Sequence, residues 1–401
     1  MNYQSYSQCI KGQQLPLAYV DLDMLEKNAL AILQRAGSKP VRIVSKSLRS
    51  AEVIKRLLAF SDQFQGVMCF HPDEAVFLAG QGIDDLLVAY PSMQVAAIES
   101  VCNATKAGKT IVLMVDSAAH VKCIDEVAKR VGVIQPICME VDMSTRIPGI
   151  YFGVRRSPIT TPKQAISLFH SINKSNGVSL DGVMGYEAQI AGVGEKLPGK
   201  HLQNSVVPWL KRYSIPQITR RRVSVVRALE RAGAKLRFVN GGGTGSICST
   251  KKDPSVTEIA VGSGFYSPHL FDYYKEFHYQ PAAGFVLEVS RVPGKGYVTC
   301  SGGGYIASGG VGIEKSPKPY LPEGIELDEN EGAGEVQTPL KISTGFIKQF
   351  KTTKLTPGDP VFFRHCKAGE LCERFNELVL IRNGTIDGTC LTYRGQGKSF
   401  I

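Results

Sequence analysis

The 401-residue sequence lacks the features of membrane and secreted proteins. No stretch approaches the about 20 apolar residues that span a bilayer, and residues 1–14 are polar, without the apolar core of a secretion signal. Low-complexity tracts are absent too, and the 43% hydrophobic and 21% charged residues are ordinary for a globular protein. We therefore expect a globular, cytoplasmic protein with no membrane partner.

Paired cysteines are also missing. The ten cysteines are scattered from Cys9 to Cys390, and no two have the C-x-x-C spacing of a zinc ribbon or a redox motif. In a chain of this size, such scattering argues for free thiols and against a disulfide framework.

A net charge of +11 arises from 47 basic and 36 acidic residues, and it suits nucleic acid, membrane headgroups or small anionic ligands. The densest basic cluster, Arg220 to Arg222, begins a helical pattern of apolar residues, so we expect a solvated helix face there. No recognisable nucleic-acid motif accompanies it, and nucleic acid is not an expected partner.

Between Leu15 and Gln280, short apolar runs typical of strands alternate with amphipathic segments typical of helices. About eight strand–helix units in roughly 265 residues favour a (β/α)8 barrel over an open sheet. The predicted strands are 16–20, 41–45, 66–69, 85–89, 111–115, 136–141, 180–184, 237–239 and 258–261.

The helical period ends near Gln280, and short alternating runs separated by Gly and Pro follow it. This pattern predicts an antiparallel β-domain with strands over 284–292, 297–300, 360–363 and 377–382, and a long surface loop over 313–334. The predicted domains are thus a barrel over 15–280 and a β-domain over 281–401, which residues 1–14 could join.

The stretch from Phe238 to Ser246 is an apolar run that ends in three glycines followed by Thr-Gly-Ser. Glycines permit positive φ and close backbone approach, so N–H groups and hydroxyls can surround an anion. The spacing matches neither a Walker loop nor a dinucleotide-binding fingerprint. On its own, this stretch leaves a phosphate cradle and a flexible glycine turn equally open.

Lys46 ends the predicted strand 41–45, and in a barrel of this kind the ligand site lies at the carboxyl ends of the strands. A lysine whose pKa is lowered by burial or by a nearby cation such as Arg49 can form a Schiff base. The alternative is a lysine that only extends its ammonium to solvent from a strand end.

Other strand ends carry polar residues of the same kind. Asp142 and Arg146 follow one strand, Tyr186 and Glu187 follow another, and the turn Gly264 to Tyr266 follows the last. An arginine at such a rim can hold an oxyanion in a bidentate manner, or it can pair with the aspartate to fix a loop. Glycine turns on the last two barrel strands are a usual phosphate site.

These motifs, in this order, resemble the fold-type III pyridoxal phosphate (PLP) enzymes, and within them the D-threonine aldolase and D-serine dehydratase family. The resemblance covers about Leu15 to Arg394. It implies a barrel followed by a β-domain, a PLP Schiff base on Lys46, and a homodimer whose partner β-domain completes the site. It also assigns the remaining cofactor contacts to Arg146 and Tyr186 near the ring and to Gly242, Gly243, Thr244, Gly245 and Tyr266 near the phosphate.

The sequence departs from this family where a divalent metal polarises the substrate hydroxyl. His365 is retained, but Lys367 stands at the second-ligand position, and an ammonium cannot bind a metal. Either the metal is lost, or it is bound by His365 with Glu370, Cys366 or Cys372, or Lys367 itself supplies the positive charge. Gln337 and Leu48 also replace histidines that the family commonly carries.

The resemblance implies a PLP-dependent lyase that acts on a small β-hydroxy D-amino acid, by aldol cleavage or by dehydration. Lys46, His365 and Lys367 are the expected catalytic residues, with His365 as the one metal ligand that can be named. Racemisation is the first alternative, although Lys46 is its only identifiable acid–base group. A PLP-binding protein without catalytic activity is the second.

Overall fold

The computed structural model describes residues 1–294, 296–310, 312–343 and 355–400, which form two compact units. The barrel unit consists of 32–46 and 54–262 together with Phe400, and the sheet unit consists of 1–31, 47–53 and 263–399. No helix in the described part of the chain is both long enough and apolar enough to cross a membrane. All ten cysteines are free thiols.

Eight parallel strands close into a barrel, which confirms the predicted fold of this part of the chain. Apolar side chains such as Met114, Met184 and Phe238 fill its interior. The strands, in chain order, are Val41–Val44, Phe64–Cys69, Leu86–Val88, Ile111–Val115, Gln135–Glu140, Val178–Gly185, Phe238–Gly241 and Glu258–Val261, and the last pairs with the first.

Several helices begin where the sequence offers a cap. The Ser117 side chain caps one helix, and Thr161 forms a capping box with Gln164 at the start of another. The helices are Tyr3–Cys9, Leu22–Ala36, Ala51–Phe60, Pro72–Gly80, Val95–Lys106, Ala118–Val131, Pro162–Asn173, Ala188–Ala191, His201–Arg231 and Ile247–Thr250.

Helix His201–Arg231 begins well before Arg220, where the sequence shows the start of a helical pattern. Pro208 and Pro216 lie inside it, and proline normally ends a helix because it lacks the N–H donor. An apolar inner face that includes Leu210 and Ile218 nevertheless continues past both prolines. Tertiary burial therefore outweighs the local penalty here.

The sheet unit contains the predicted antiparallel β-domain, with a core of residues such as Tyr19, Val286 and Phe362. Among its described strands, the one parallel pairing joins Leu17–Asp21 to Glu377–Arg382. The described strands are Leu17–Asp21, Ala283–Gly294, Tyr297–Ser301, Lys318–Leu321, Ile325–Leu327, Gln337–Ile342, Pro360–Arg364, Glu377–Arg382 and Thr385–Leu391.

Two predictions for this unit are wrong. Strand Leu17–Asp21 is predicted among the barrel strands but pairs with Ala283–Gly294 and Glu377–Arg382. All five of its residues are buried, so its continuous apolar run has the pattern of a barrel strand. The predicted loop over 313–334 contains the short strands Lys318–Leu321 and Ile325–Leu327. The domain boundary at 280 stays a prediction.

A buried ionic network lies among the barrel strands. The side chain of Arg42 is only 1% exposed, and its Nε lies 2.7 Å from Glu258 Oε1 while its Nη2 lies 3.0 Å from Asp85 Oδ2. The amide of Asn240 also donates to Glu258, at 2.8 Å. Burial acts to raise the pKa of Asp85, but the guanidinium groups of Arg42 and Arg237 outweigh it, and the pKa is lowered.

We expect Arg42→Met to destabilise the protein by about 3–5 kcal/mol, because it leaves the buried Glu258 carboxylate without its paired cation, whereas Asp85 keeps Arg237. Arg237→Met is the matched control, since Arg237 is 41% exposed and pairs with Asp85 at 2.9 Å. Its removal should cost about 1 kcal/mol or less. Urea unfolding followed by circular dichroism measures both, and equal losses would contradict the buried role of Arg42.

Candidate functional site

The carboxyl ends of the barrel strands bring several predicted site residues to one rim. Lys46 follows Val41–Val44 in a short 3-10 turn, Ser45–Ser47, and its side chain is half-buried. Its Nζ lies 3.5 Å from the hydroxyl of Tyr90, which follows the strand two positions farther round the barrel. Lys46 thus presents its amine beside an aromatic ring at the rim.

Arg156, like Tyr90, is a rim residue that the sequence did not indicate. Its guanidinium lies over the rings of Tyr90 and Tyr186, with carbon-to-centroid distances of 4.7 and 5.8 Å. Nε lies 2.6 Å from Glu140 Oε1, and Nη2 donates to the carbonyl of Ala89 at 2.9 Å. Arg156 belongs to a loop rather than a strand end, so no strand-end pattern in the sequence indicates it.

Glu140 is the last residue of its strand, and its side chain is only 4% exposed. Burial raises its pKa to about 7, with the nearby Asp116 adding to the shift and the Arg156 guanidinium opposing it. Asp116 in turn lies 3.0 Å from Nδ1 of His120. Glu140 can therefore gain or lose a proton near neutral pH.

Arg146 occupies a different position from Arg156. It lies on a two-stranded hairpin, Thr145–Ile147 with Ile150–Phe152, where it is exposed and its guanidinium is 6.0 Å from the Tyr151 ring centroid. In this structure the guanidinium over Tyr90 and Tyr186 is that of Arg156. The predicted cofactor role of Arg146 stays a prediction.

The glycine loop follows strand Phe238–Gly241 and is a hydrogen-bonded turn. Gly242 has φ of +90°, and a Cβ on it would lie 2.8 Å from the Ile259 side chain. A Cβ on Gly243 would lie 2.8 Å from Ala191. Both positions therefore require glycine. The Gly243 N–H donates to Ser246 Oγ at 3.1 Å, so this amide is used within the loop itself.

Glu187 holds the glycine loop in place, and Arg222 compensates the charge of Glu187. The buried Glu187 carboxylate accepts the Gly242 N–H at 3.1 Å, the Thr250 hydroxyl, and Arg222 Nη2 at 2.8 Å. Arg222 also lies 2.5 Å from Asp253 Oδ2. The Gly242 amide, predicted to face a phosphate, is thus held by a carboxylate.

The predicted solvated face over Arg220 to Arg222 is wrong for Arg222, whose side chain is only 1% exposed. The helix begins at His201, so Arg222 lies on the same inner face as Ile218 and Val226, each four residues away. Arg221 is partly buried and donates to the carbonyls of Asp142 and Ser144 at 2.7 and 2.8 Å. This basic cluster is therefore partly structural.

Thr244 and Tyr186 are two further predicted site residues of the barrel unit. Thr244 is buried, and its carbonyl accepts from Arg35 Nη1 at 3.0 Å. The Tyr186 ring lies against the glycine loop, because a Cβ on Gly243 would be 3.2 Å from its Cε2. Burial raises the pKa of Tyr186 to about 12, so its phenol is neutral at physiological pH. Gly245 follows Thr244 in the loop.

Within the sheet unit, Tyr266 is fully buried and its hydroxyl donates to the Leu48 carbonyl at 3.2 Å. The His365 ring meets the Tyr266 ring edge-on, with centroids 6.4 Å apart. Ser47, the chain neighbour of Lys46, lies 3.1 Å from Ser263, hydroxyl to hydroxyl. The structure therefore brings Tyr266 and His365 together.

Lys367 belongs to a more exposed group of polar residues in the sheet unit. Its Nζ lies 3.0 Å from Ser308 Oγ and 3.7 Å from Glu370 Oε1. Glu370 in turn accepts from the N–H and the hydroxyl of Ser308. The Glu370 carboxylate, one of the alternative metal ligands, thus already has three partners.

The thiols of Cys366 and Cys372, the other alternative ligands, donate to backbone carbonyls at 3.1 and 3.2 Å. Burial raises the pKa of the Cys366 thiol to about 11, and that of Cys372 rises as well. A metal binds the thiolate form. No group of three or more His, Cys, Asp or Glu converges anywhere in the described ranges, and the metal role of His365 stays a prediction.

Comparison with known proteins identifies the family. Residues 20–269 match the family described as alanine racemase, N-terminal domain. The chain belongs to this family. It is also 25% identical over 252 residues to a 3-hydroxy-D-aspartate aldolase of Paracoccus denitrificans (strain Pd 1222), a match that covers 62% of this chain. The matched region spans 59% of the length of that relative.

Solved structures confirm the fold of this alanine racemase family member over nearly its whole length. D-threonine aldolase from Filomicrobium marinum has a TM-score of 0.79 at 16% identity, and the match covers 96% of each chain. D-threo-3-hydroxyaspartate dehydratase from Delftia sp. HT23 has a TM-score of 0.74 at 17% identity and covers 95% of this chain and 98% of its own. At this identity the likeness establishes the fold alone.

We expect Glu187→Ala to destabilise the protein by about 3–5 kcal/mol, because it removes one of the two carboxylates that compensate the buried Arg222. Glu99→Ala is the matched control, since Glu99 is 43% exposed and pairs with Arg130 at the surface. That change should cost about 1 kcal/mol or less. Thermal unfolding compares the two, and a similar melting temperature for both variants would contradict the anchoring role of Glu187.

Proposed function

We propose that this chain is a PLP-dependent lyase that cleaves or dehydrates a β-hydroxy D-amino acid, with Lys46 as the residue that holds the cofactor. The observation that carries the proposal is Lys46 itself, whose amine lies 3.5 Å from Tyr90 at the rim of an alanine racemase-type barrel. The names of the relatives support the substrate class, since they are aldolases and a dehydratase of 3-hydroxy-D-amino acids.

The residues at the rim fit PLP. Lys46 supplies a primary amine. The glycine loop follows strand Phe238–Gly241, which lies two strands away round the barrel from the strand before Lys46. Strand Glu258–Val261 lies between these two and pairs with both. The loop is fixed in place, because a Cβ at Gly242 or Gly243 would collide with neighbouring side chains. Thr244 and Gly245 are the proposed phosphate-binding residues of the loop, with Tyr266 as the proposed contact from the sheet unit.

PLP supplies an electron sink that makes the bonds at the substrate Cα labile. In our proposal Lys46 holds the cofactor and later carries a proton at Nζ. Tyr186, whose phenol stays neutral, donates a hydrogen bond near the ring. His365 and Lys367 are proposed to act at the substrate hydroxyl, and the active form is proposed to be a homodimer.

Lys46→Ala should abolish the long-wavelength absorbance of the protein reconstituted with PLP, because the amine that holds the cofactor is gone. Lys122→Ala is the control, since that side chain is 78% exposed. Absorbance spectra before and after gel filtration measure retention. A wild-type protein that stays colourless after reconstitution would disprove the cofactor assignment.

Chelation tests the chemistry at the hydroxyl. We expect the rate with D-threonine or D-threo-3-hydroxyaspartate to be unchanged by exhaustive treatment with EDTA, because an ammonium stands at the second-ligand position and Glu370 already binds Ser308. Glycine and an aldehyde would indicate aldol cleavage, and ammonia with a keto acid would indicate dehydration. Loss of activity on chelation, with recovery on adding a divalent ion, would contradict this expectation. Formation of the L-enantiomer alone would favour the racemase alternative.

A further inference from the structure

We propose that Arg156, positioned by Glu140, binds the carboxylate of the amino-acid substrate. The inference deepens the proposed function, on which it rests for the class of substrate. Arg156 lies outside the strand ends and the glycine loop. The contacts of its guanidinium, rather than a sequence motif, support the proposal.

Three contacts fix the orientation of Arg156. Nε lies 2.6 Å from Glu140 Oε1, Nη2 donates to Ala89, and the guanidinium plane is placed over the rings of Tyr90 and Tyr186. A planar guanidinium held in this way loses little further conformational freedom on binding a ligand. No hydrogen bond from Nη1 is found among the described residues, and the side chain is 19% exposed. Its outer N–H groups therefore suit a carboxylate.

The charges at the rim favour an anion. Lys46 and Arg156 contact Tyr90 from two directions, with Nζ 6.0 Å and the guanidinium carbon 4.7 Å from its ring centroid. Glu140 is the carboxylate paired with Arg156, and it is almost completely buried. Two cations of the barrel unit thus lie against one aromatic ring, and such a pair suits a ligand that carries a carboxylate.

Glu140 makes the strength of this site dependent on pH. The groups that face it are Arg156, Asp116 and Asp142, with the buried thiol of Cys138 on the same strand and His120 paired to Asp116. Burial raises the pKa of Glu140 to about 7. Below this value Glu140 is neutral and the charge of Arg156 is uncompensated, so a carboxylate binds more tightly. Above it the ionised Glu140 neutralises Arg156, and binding weakens.

The experiment uses malonate, an unreactive carboxylate, as the probe and calorimetry as the readout, with the wild-type holoprotein and the apoprotein measured in parallel. We expect Arg156→Gln to raise the Kd of malonate by about 10- to 100-fold, as for loss of a charge-assisted hydrogen bond. Arg155→Gln, a change at the exposed neighbouring arginine, should leave the Kd unchanged. Arg156→Lys keeps the charge without the planar fork and should recover part of the affinity.

Two results would overturn the assignment. If Arg156→Gln weakens PLP binding to the apoprotein and leaves malonate binding intact, the oxyanion at Arg156 belongs to the cofactor. If Arg146→Gln has the effect expected of Arg156→Gln, the hairpin arginine binds the carboxylate. Because malonate can be titrated into the apoprotein, failure of the wild type to bind PLP would disprove the proposed function separately.

Glu140→Gln tests the positioning role of Glu140. The Gln side chain can still accept from Arg156 Nε, but it does not titrate. We expect the malonate affinity of the wild type to fall as the pH rises through about 7, and that of Glu140→Gln to stay near the low-pH value throughout. A residue with only a structural role would not produce this difference. The same pH profile in both proteins would refute the role of Glu140.

Discussion

The glycine loop depends on one buried carboxylate. Glu187 accepts hydrogen bonds from the Gly242 amide, from Thr250 and from Arg222, while Arg222 is also bound by Asp253. A buried charge is costly unless it is paired, and the charges of Glu187 and Asp253 are both compensated by Arg222. Because leaving this arrangement would cost the loop the hydrogen bond between the Gly242 amide and a buried carboxylate, that bond favours one backbone conformation.

The barrel unit contains two ionic networks of the same kind, and in each of them one arginine pairs with two carboxylates. Arg42 lies between Glu258 and Asp85, and Arg222 lies between Glu187 and Asp253. The second network joins residues from two loops and a helix that are far apart in sequence. Such networks constrain which segments can meet at the rim, whereas the apolar interior constrains mainly the alternation of strands and helices.

The sequence predicted the barrel because its strands are continuous apolar runs, and the bounds of Ile111–Val115 and Glu258–Val261 agree with the structure. The same rule failed for Leu17–Asp21, since burial on both faces produces the same run in either sheet. Lys46 and the glycine loop were predictable because they directly follow strands. The full length of helix His201–Arg231 was not predictable, because prolines inside a sequence segment normally argue against a helix. Here the burial of its apolar face outweighs that penalty.

Arg156 shows why part of a site escapes such reasoning. Arg146 stands in a recognisable turn directly after a strand, whereas Arg156 follows a hairpin and has no regular spacing. What distinguishes Arg156 is a buried partner, Glu140, together with two tyrosine rings delivered by separate strands. A guanidinium is bound where carboxylate, carbonyl and aromatic faces converge, and that convergence is a property of the closed barrel. The surroundings of Arg156 therefore depend on residues that the closed barrel brings together and that the sequence around Arg156 does not show.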